Sequence, residues 1–238
     1  MLTETFCLLR WREVLRHKYV LFAGVAGLLL AVPNFVGAYH IAYPPYVSRP
    51  PAASLKLPVP FHAQEHSLSC EAATLRMLLL SQGIDEPENW ITAKMAFGPM
   101  GSDPDLVYVG NHRGTQFVSG YGIHWDALAH VAREYQPAES FHRKDLHFLI
   151  DRLHDGNPVI VWGSLHRSPS NKSWTTPEGK YIHAVSGQHT WVVTGYAGDR
   201  RAPSYLFTLD PIYGERVFRT GDFLKTWSYY NNSGIFLQ

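Results

Sequence analysis

The strongest hydrophobic signal lies near the start of the chain. From Tyr19 to Ala38 no side chain is charged, and Leu, Val, Ala and Gly dominate the run. About twenty helical residues extend about 30 Å, the thickness of a bilayer's hydrocarbon core. Arg10, Arg12, Arg16 and Lys18 precede the run. The positive-inside rule therefore places residues 1–18 in the cytoplasm and everything beyond residue 40 on the far side. A transmembrane signal-anchor over 19–38 is expected. Val36-Gly37-Ala38 also has the small-residue spacing of a cleavage site, so secretion after cleavage near Ala38 stays open as the alternative. Pro44, Pro45, Pro50, Pro51, Pro58 and Pro60 follow, and predict an extended linker over 39–56.

From Leu57 to Gln238 the pattern is that of a folded domain, helices first and strands second. Ser69 to Gln82 is largely apolar, with Ser67 or Ser69 placed to cap it and Gly83 to end it. Further helices are expected over 87–97, 125–135, 144–154 and 221–229. Residues 98–122 are rich in Gly, Asp, Asn and Pro and read as a long loop. After the turn signal Asp155-Gly156-Asn157-Pro158 come β-rich runs at 159–162, 189–196, 205–209 and 216–219. Segregated helices and strands predict an α+β domain, with N-terminal helices packed on a C-terminal antiparallel sheet.

Composition narrows the function classes. The 238 residues carry a formal net charge of +1, which gives no electrostatic footprint for nucleic acid. Hydrophobic content is 45% and aromatic content 13%, enough for a packed core. The two cysteines, Cys7 and Cys70, fall on opposite sides of the expected anchor, which excludes a disulfide framework. The 13 histidines are scattered without metal-ligand spacing, so no metal or organic cofactor is expected. Asp103 and Asp105 in Gly-Ser-Asp-Pro-Asp make an incomplete calcium loop, lacking the later acidic ligand. Serine-hydrolase and nucleotide-binding motifs are missing.

Candidate chemistry centres on Cys70, at the expected start of a helix whose N-terminal field would favour a thiolate. A thiol nucleophile needs a base, and His189 opens a strand-like run, Gln188-His189-Thr190-Trp191-Val192-Val193. Asp210 ends another, Leu206 to Asp210, and could fix the imidazole tautomer. The Gln64 side-chain amide and the Cys70 backbone N–H could hold an oxyanion. His183, in Lys180-Tyr181-Ile182-His183, is the competing base but lacks a following apolar run. Trp162, Trp174 and Trp191 read as core or rim.

These stretches resemble a family. Pro58-Val59-Pro60-Phe61-His62-Ala63-Gln64 with Cys70-Glu71-Ala72-Ala73, the Gly156 to Val161 segment, Gly187 to Tyr196 and Asp210-Pro211 are similar to papain-like cysteine peptidases related to the bacteriocin-processing, double-glycine-leader peptidases. Gly110-Asn111 and Gly120-Tyr121-Gly122 match a loop of stand-alone extracytoplasmic members. The resemblance implies a papain-like fold and hydrolysis of peptide bonds in a peptide or protein substrate. It implies Cys70 as nucleophile, His189 as base, Asp210 as orienter and Gln64 in the oxyanion hole. The chain departs from many members at Glu71, where they carry glycine, and it contains no transporter domain of the kind fused to the bacteriocin-processing members. The reading is a membrane-anchored extracytoplasmic cysteine peptidase; the alternatives are a cell-wall peptide amidase of the same fold class and an inactive peptide-binding domain.

Overall fold

The computed structural model describes residues 46–238. The expected cytoplasmic segment, the expected anchor over 19–38 and Cys7 lie outside the described residues. Among the described residues no helix is long and apolar enough to cross a membrane.

In chain order the elements are β1 Leu55–Lys56, α1 Cys70–Ser81, α2 Glu88–Ala93, β2 Phe97–Gly98, β3 Tyr108–Gly110, β4 Gly120–Gly122, α3 Trp125–Ala132, β5 Ala138–Phe141, α4 Leu146–His154, β6 Val159–Ser164, β7 Trp174–Thr175, β8 Tyr181–Ile182, β9 Gln188–Gly198, β10 Pro203–Asp210, β11 Gly214–Arg219, α5 Thr220–Ser228 and β12 Gly234–Leu237. A seven-stranded sheet runs β11-β10-β9-β6-β12-β5, with β1 added beside β9. Its pairings are all antiparallel.

Helices cover both faces of this sheet. Ile160, Trp162 and Val192 pack with Leu75 and Leu78 of α1 and Leu128 of α3. Val159, Val161, Trp191 and Val193 pack with Leu149 and Leu153 of α4 and Phe223 and Trp227 of α5. Alternate residues of a strand point to opposite faces, so a strand buried on both sides reads as an unbroken apolar run. That is why Val159-Ile160-Val161-Trp162 and Trp191-Val192-Val193 stand out in the sequence. α1 is apolar around most of its circumference and is buried accordingly. It ends where Gly83 takes φ +79° and Ile84 N–H donates to the Leu79 carbonyl.

The architecture is α+β as expected, with differences in detail. The 98–122 stretch is not a plain loop: it carries the three-stranded sheet β2-β3-β4. The segment expected to be helical over 87–97 keeps only α2, six residues long. β5, β7 and β12 carry no pattern in the sequence because none exceeds four residues, too short for a period-2 signal. From Tyr46 on, the proline-rich stretch before the domain lies along the sheet. Tyr46 bridges Phe218, Val47 N–H donates to the Val217 carbonyl, and β1 pairs with Gly195 and Tyr196. Gly195 permits this approach, because a Cβ there would sit 2.2 Å from the Leu55 carbonyl oxygen.

Candidate active site

Cys70 is the first residue of α1, and His189 is the second of β9. Two hydrogen bonds lock the helix to the strand on either side of the histidine. Gln188 Nε2 donates to Glu71 Oε1 at 2.9 Å, and the Thr74 and Thr190 hydroxyls lie 3.2 Å apart. Strand alternation sends Gln188, Thr190 and Val192 toward α1 and sends His189 and Trp191 to the other face. The helix start and the strand start lie at the same end of the sheet. Cys70, His189 and Gln64 accordingly line one cleft of about 260 Å³, together with Gln116, Tyr121 and Tyr213.

His189 uses Nε2 to contact Asp210 Oδ1 at 3.1 Å, which leaves Nδ1 as the ring atom for other partners. Asp210 is fully buried and densely bonded. Oδ1 also accepts from the backbone N–H groups of Ile212, at 2.8 Å, and Tyr213, at 3.2 Å. Oδ2 accepts from Trp191 Nε1 and from the Tyr46 hydroxyl, both at 2.9 Å. Burial alone would raise this carboxyl, but the His189 imidazole and the hydrogen bonds outweigh it and hold Asp210 down at about 2.

Gln64 is anchored by its own N–H to the carbonyl of Pro211, the residue after Asp210, at 2.9 Å. Its Nε2 donates to the His66 carbonyl at 2.7 Å, and an amide nitrogen has a second hydrogen to offer. The Cys70 N–H sits in the first turn of α1, where no intrahelical acceptor exists.

Cys70 does not behave as helix position alone predicts. Its thiol donates to Glu71 Oε2 at 3.3 Å. Burial first, and then the Glu71 carboxylate, push the thiol well above its ordinary value. The expected depression by the helix terminus is therefore overridden in this conformation: burial, and after it the hydrogen-bonded Glu71 carboxylate, outweigh a partial helix charge. Glu71 is itself buried, and burial raises its carboxyl against the hydrogen bonds from Gln188 and the Ile123 N–H. It also fills the space beside Gly122, where a Cβ would meet Glu71 Oε1 at 2.3 Å. Sequence reading marked Glu71 only as a departure from a motif; its buried position is what matters.

The other candidates resolve differently. His183 is exposed and lies in a separate pocket with Asp105, His124 and Lys180. Asp103 and Asp105 both accept from Lys180 Nζ at 2.7 Å, and Asp105 also contacts His124 Nδ1 at 2.7 Å. A lysine ammonium thus answers the two carboxylates that read as half a calcium loop. His62, Glu65 and Glu88 form the grouping of metal-ligand types among the described residues. There Glu88 already accepts from the Glu65 N–H and pairs with His62 at 2.8 Å. Trp162 and Trp191 are core residues, as expected, but Trp191 also bonds Asp210, which the sequence signalled only by its i+2 spacing from His189. Tyr46 carried no signal at all.

The model of the Peptidase_C39 like family matches residues 56–235 of the chain. Among solved structures, the fold is similar to that of a Bacillus anthracis protein described as a C39-like peptidase, with a TM-score of 0.67 and 22% identity over 76% of this chain and 94% of that one. A double glycine motif protease from an AMS/PCAT transporter, solved in complex with the leader peptide, matches with a TM-score of 0.46 and 17% identity over 79% of this chain and 96% of that one. No curated protein matches.

Proposed function

The chain belongs to the Peptidase_C39 like family, and on that premise we propose that it is a cysteine peptidase working through Cys70, His189, Asp210 and Gln64. The observation that carries this reading is the shared cleft of Cys70, His189 and Gln64, with His189 Nε2 engaged by an ionised Asp210. Cys70 first turns from Glu71 toward the imidazole, and His189 Nδ1 takes the thiol proton. The thiolate attacks the substrate carbonyl carbon. The oxyanion is met by Gln64 Nε2–H and the Cys70 N–H. The imidazolium then protonates the leaving amine, and water released from its proton by His189 hydrolyses the acyl-enzyme. Asp210 keeps the Nε2 proton in place, so that Nδ1 is the basic atom.

The substrate class is a peptide or protein. The same reading keeps residues 19–38 as a membrane anchor and puts the peptidase domain on the extracytoplasmic side, on the strength of the basic flank and uncharged run. Protease accessibility in sealed vesicles tests the placement: digestion of residues beyond 46 from the cytoplasmic side alone would contradict it.

A peptidyl thiol-reactive electrophile tests the chemistry. Wild type is expected to be labelled at Cys70 near neutral pH, Cys70→Ala not at all and His189→Ala far more slowly. Equal labelling of wild type and His189→Ala would remove His189 from the mechanism.

A further inference from the structure

Tyr46 lies 164 residues before Asp210 in sequence, yet its hydroxyl donates to Asp210 Oδ2 at 2.9 Å. It belongs to the stretch whose prolines predict a linker. The ring packs edge-on against Phe218, with centroids 4.9 Å apart, and the backbone is held by the Tyr46–Phe218 bridge and the Val47 N–H bond to Val217. The hydroxyl also stands 3.3 Å from Trp191 Nε1, the other donor to the same carboxylate oxygen. Oδ2 is thus covered by one indole from the sheet and one phenol from the approaching chain, while Oδ1 faces His189. Among the described residues, the charged and titratable groups around Tyr46 are Asp210, His189 beyond it, Glu215, which lines the same surface pocket, and Arg216, whose guanidinium lies 5.6 Å from the Tyr46 ring centre.

We propose that Tyr46 is a positioning residue of the peptidase site: the segment leading into the domain supplies a hydrogen bond that orients Asp210 and shares its negative charge. The proposal rests on the reading of Asp210 as the orienter of His189. A carboxylate oxygen with two fixed donors cannot swing away from the imidazole. The donor also draws charge from the carboxylate and so limits how strongly it holds the imidazolium proton. The functional unit then includes Tyr46 rather than starting at Leu57, and displacement of this segment reaches the catalytic groups without touching the cleft.

The test measures alkylation of Cys70 by iodoacetate, an anion whose reaction is favoured by the imidazolium beside the thiolate and so falls when that proton is lost, against pH in the full chain, with peptide mapping to separate Cys70 from Cys7. Tyr46→Phe removes the hydroxyl and keeps the ring against Phe218. Without the donor, Asp210 holds the imidazolium proton more tightly and is less well oriented. The alkaline limb is expected to move up by roughly half a pH unit or more, and the plateau rate to fall about threefold to tenfold. Ser54→Ala removes the two bonds between the Ser54 hydroxyl and the Gly198 backbone, far from Asp210 in the hydrogen-bond pattern, and is expected to keep the wild-type profile. A Tyr46→Phe profile that superimposes on wild type overturns the proposal. So does a slower rate at every pH with unmoved limbs. Asp210→Ala in the same assay separates the two ideas: if it cripples the Cys70 reaction while Tyr46→Phe matches wild type, only the role of Tyr46 fails, and if Asp210→Ala also matches wild type, the reading of Asp210 fails with it.

Discussion

Two buried carboxylates flank the same cleft and are driven in opposite directions. Asp210 receives hydrogen bonds from the His189 imidazole, an indole, a phenol and two backbone amides, and is held at about 2. Glu71 receives a side-chain amide, the Ile123 N–H and a thiol, and burial raises it. Both have partners, so hydrogen-bond satisfaction does not separate them. What does is a partner able to carry positive charge: Asp210 has an imidazole at 3.1 Å, whereas every donor to Glu71 is neutral. One carboxylate is built to stay ionised beside His189. The other sits beside Cys70 and opposes ionisation of its thiol.

The largest effects should come from Cys70 and His189. Cys70→Ala and His189→Ala are expected to lower peptide hydrolysis on the order of 10³-fold or more, measured with a peptide reporter substrate. A His189→Ala enzyme within a factor of two of wild type would dissolve the contrast, since Asp210 would then have no base to serve. Asp210→Ala should come next, lowering turnover on the order of 10²-fold. It strands the Trp191 indole and the Tyr46 hydroxyl, so urea unfolding should show a loss of about 3–5 kcal/mol.

Glu71→Gln sharpens the comparison from the other side. It removes the negative charge beside the sulfur and keeps an acceptor for the Ile123 N–H. Because the carboxylate raises the Cys70 thiol, its removal should move the acid limb of Cys70 alkylation to lower pH and speed the reaction several-fold near pH 6. An acid limb moved upward would show that Glu71 helps the thiolate instead.

Stability against pH gives the smallest signal and carries opposite signs for the two groups. The folded-state value of Asp210 lies below its unfolded value, so its contribution is present above about 4 and is lost as pH falls through about 2. The shift corresponds to about 2 kcal/mol. Glu71 is raised in the folded state. Its contribution is full below its unfolded value and is lost as pH rises through the folded one. In urea titrations Asp210→Asn should flatten the acid side of the stability curve, and Glu71→Gln should flatten the fall toward neutral pH. A Glu71→Gln curve parallel to wild type across that range would mean that Glu71 titrates alike in folded and unfolded chains.

Much of the frame was legible because it rests on local pattern. α1 follows from the apolar run after Ser69 and the stop at Gly83. β6 and β9 follow from apolar runs that only a doubly covered strand would carry. The order Cys70, His189, Asp210, each at the edge of a predicted element, pointed to residues that line or adjoin one cleft. Short strands escaped, because two to four residues hold too little pattern. β12, with its Gly-Ile-Phe-Leu, becomes a strand only because β5 and β6 flank it.

Sequence by itself determined the element types, the continuous apolar faces and which side chains had the right chemistry, since propensity and periodicity act over neighbouring residues. Tertiary structure alone decided how those groups are charged and held. The partners of Asp210 come from Tyr46 and Trp191, and those of Glu71 from Ile123 and Gln188, at separations up to 164 residues. Proton affinity in a buried site is set by desolvation and by the few atoms in contact. Those atoms are chosen by the fold and not by the residues next in the chain.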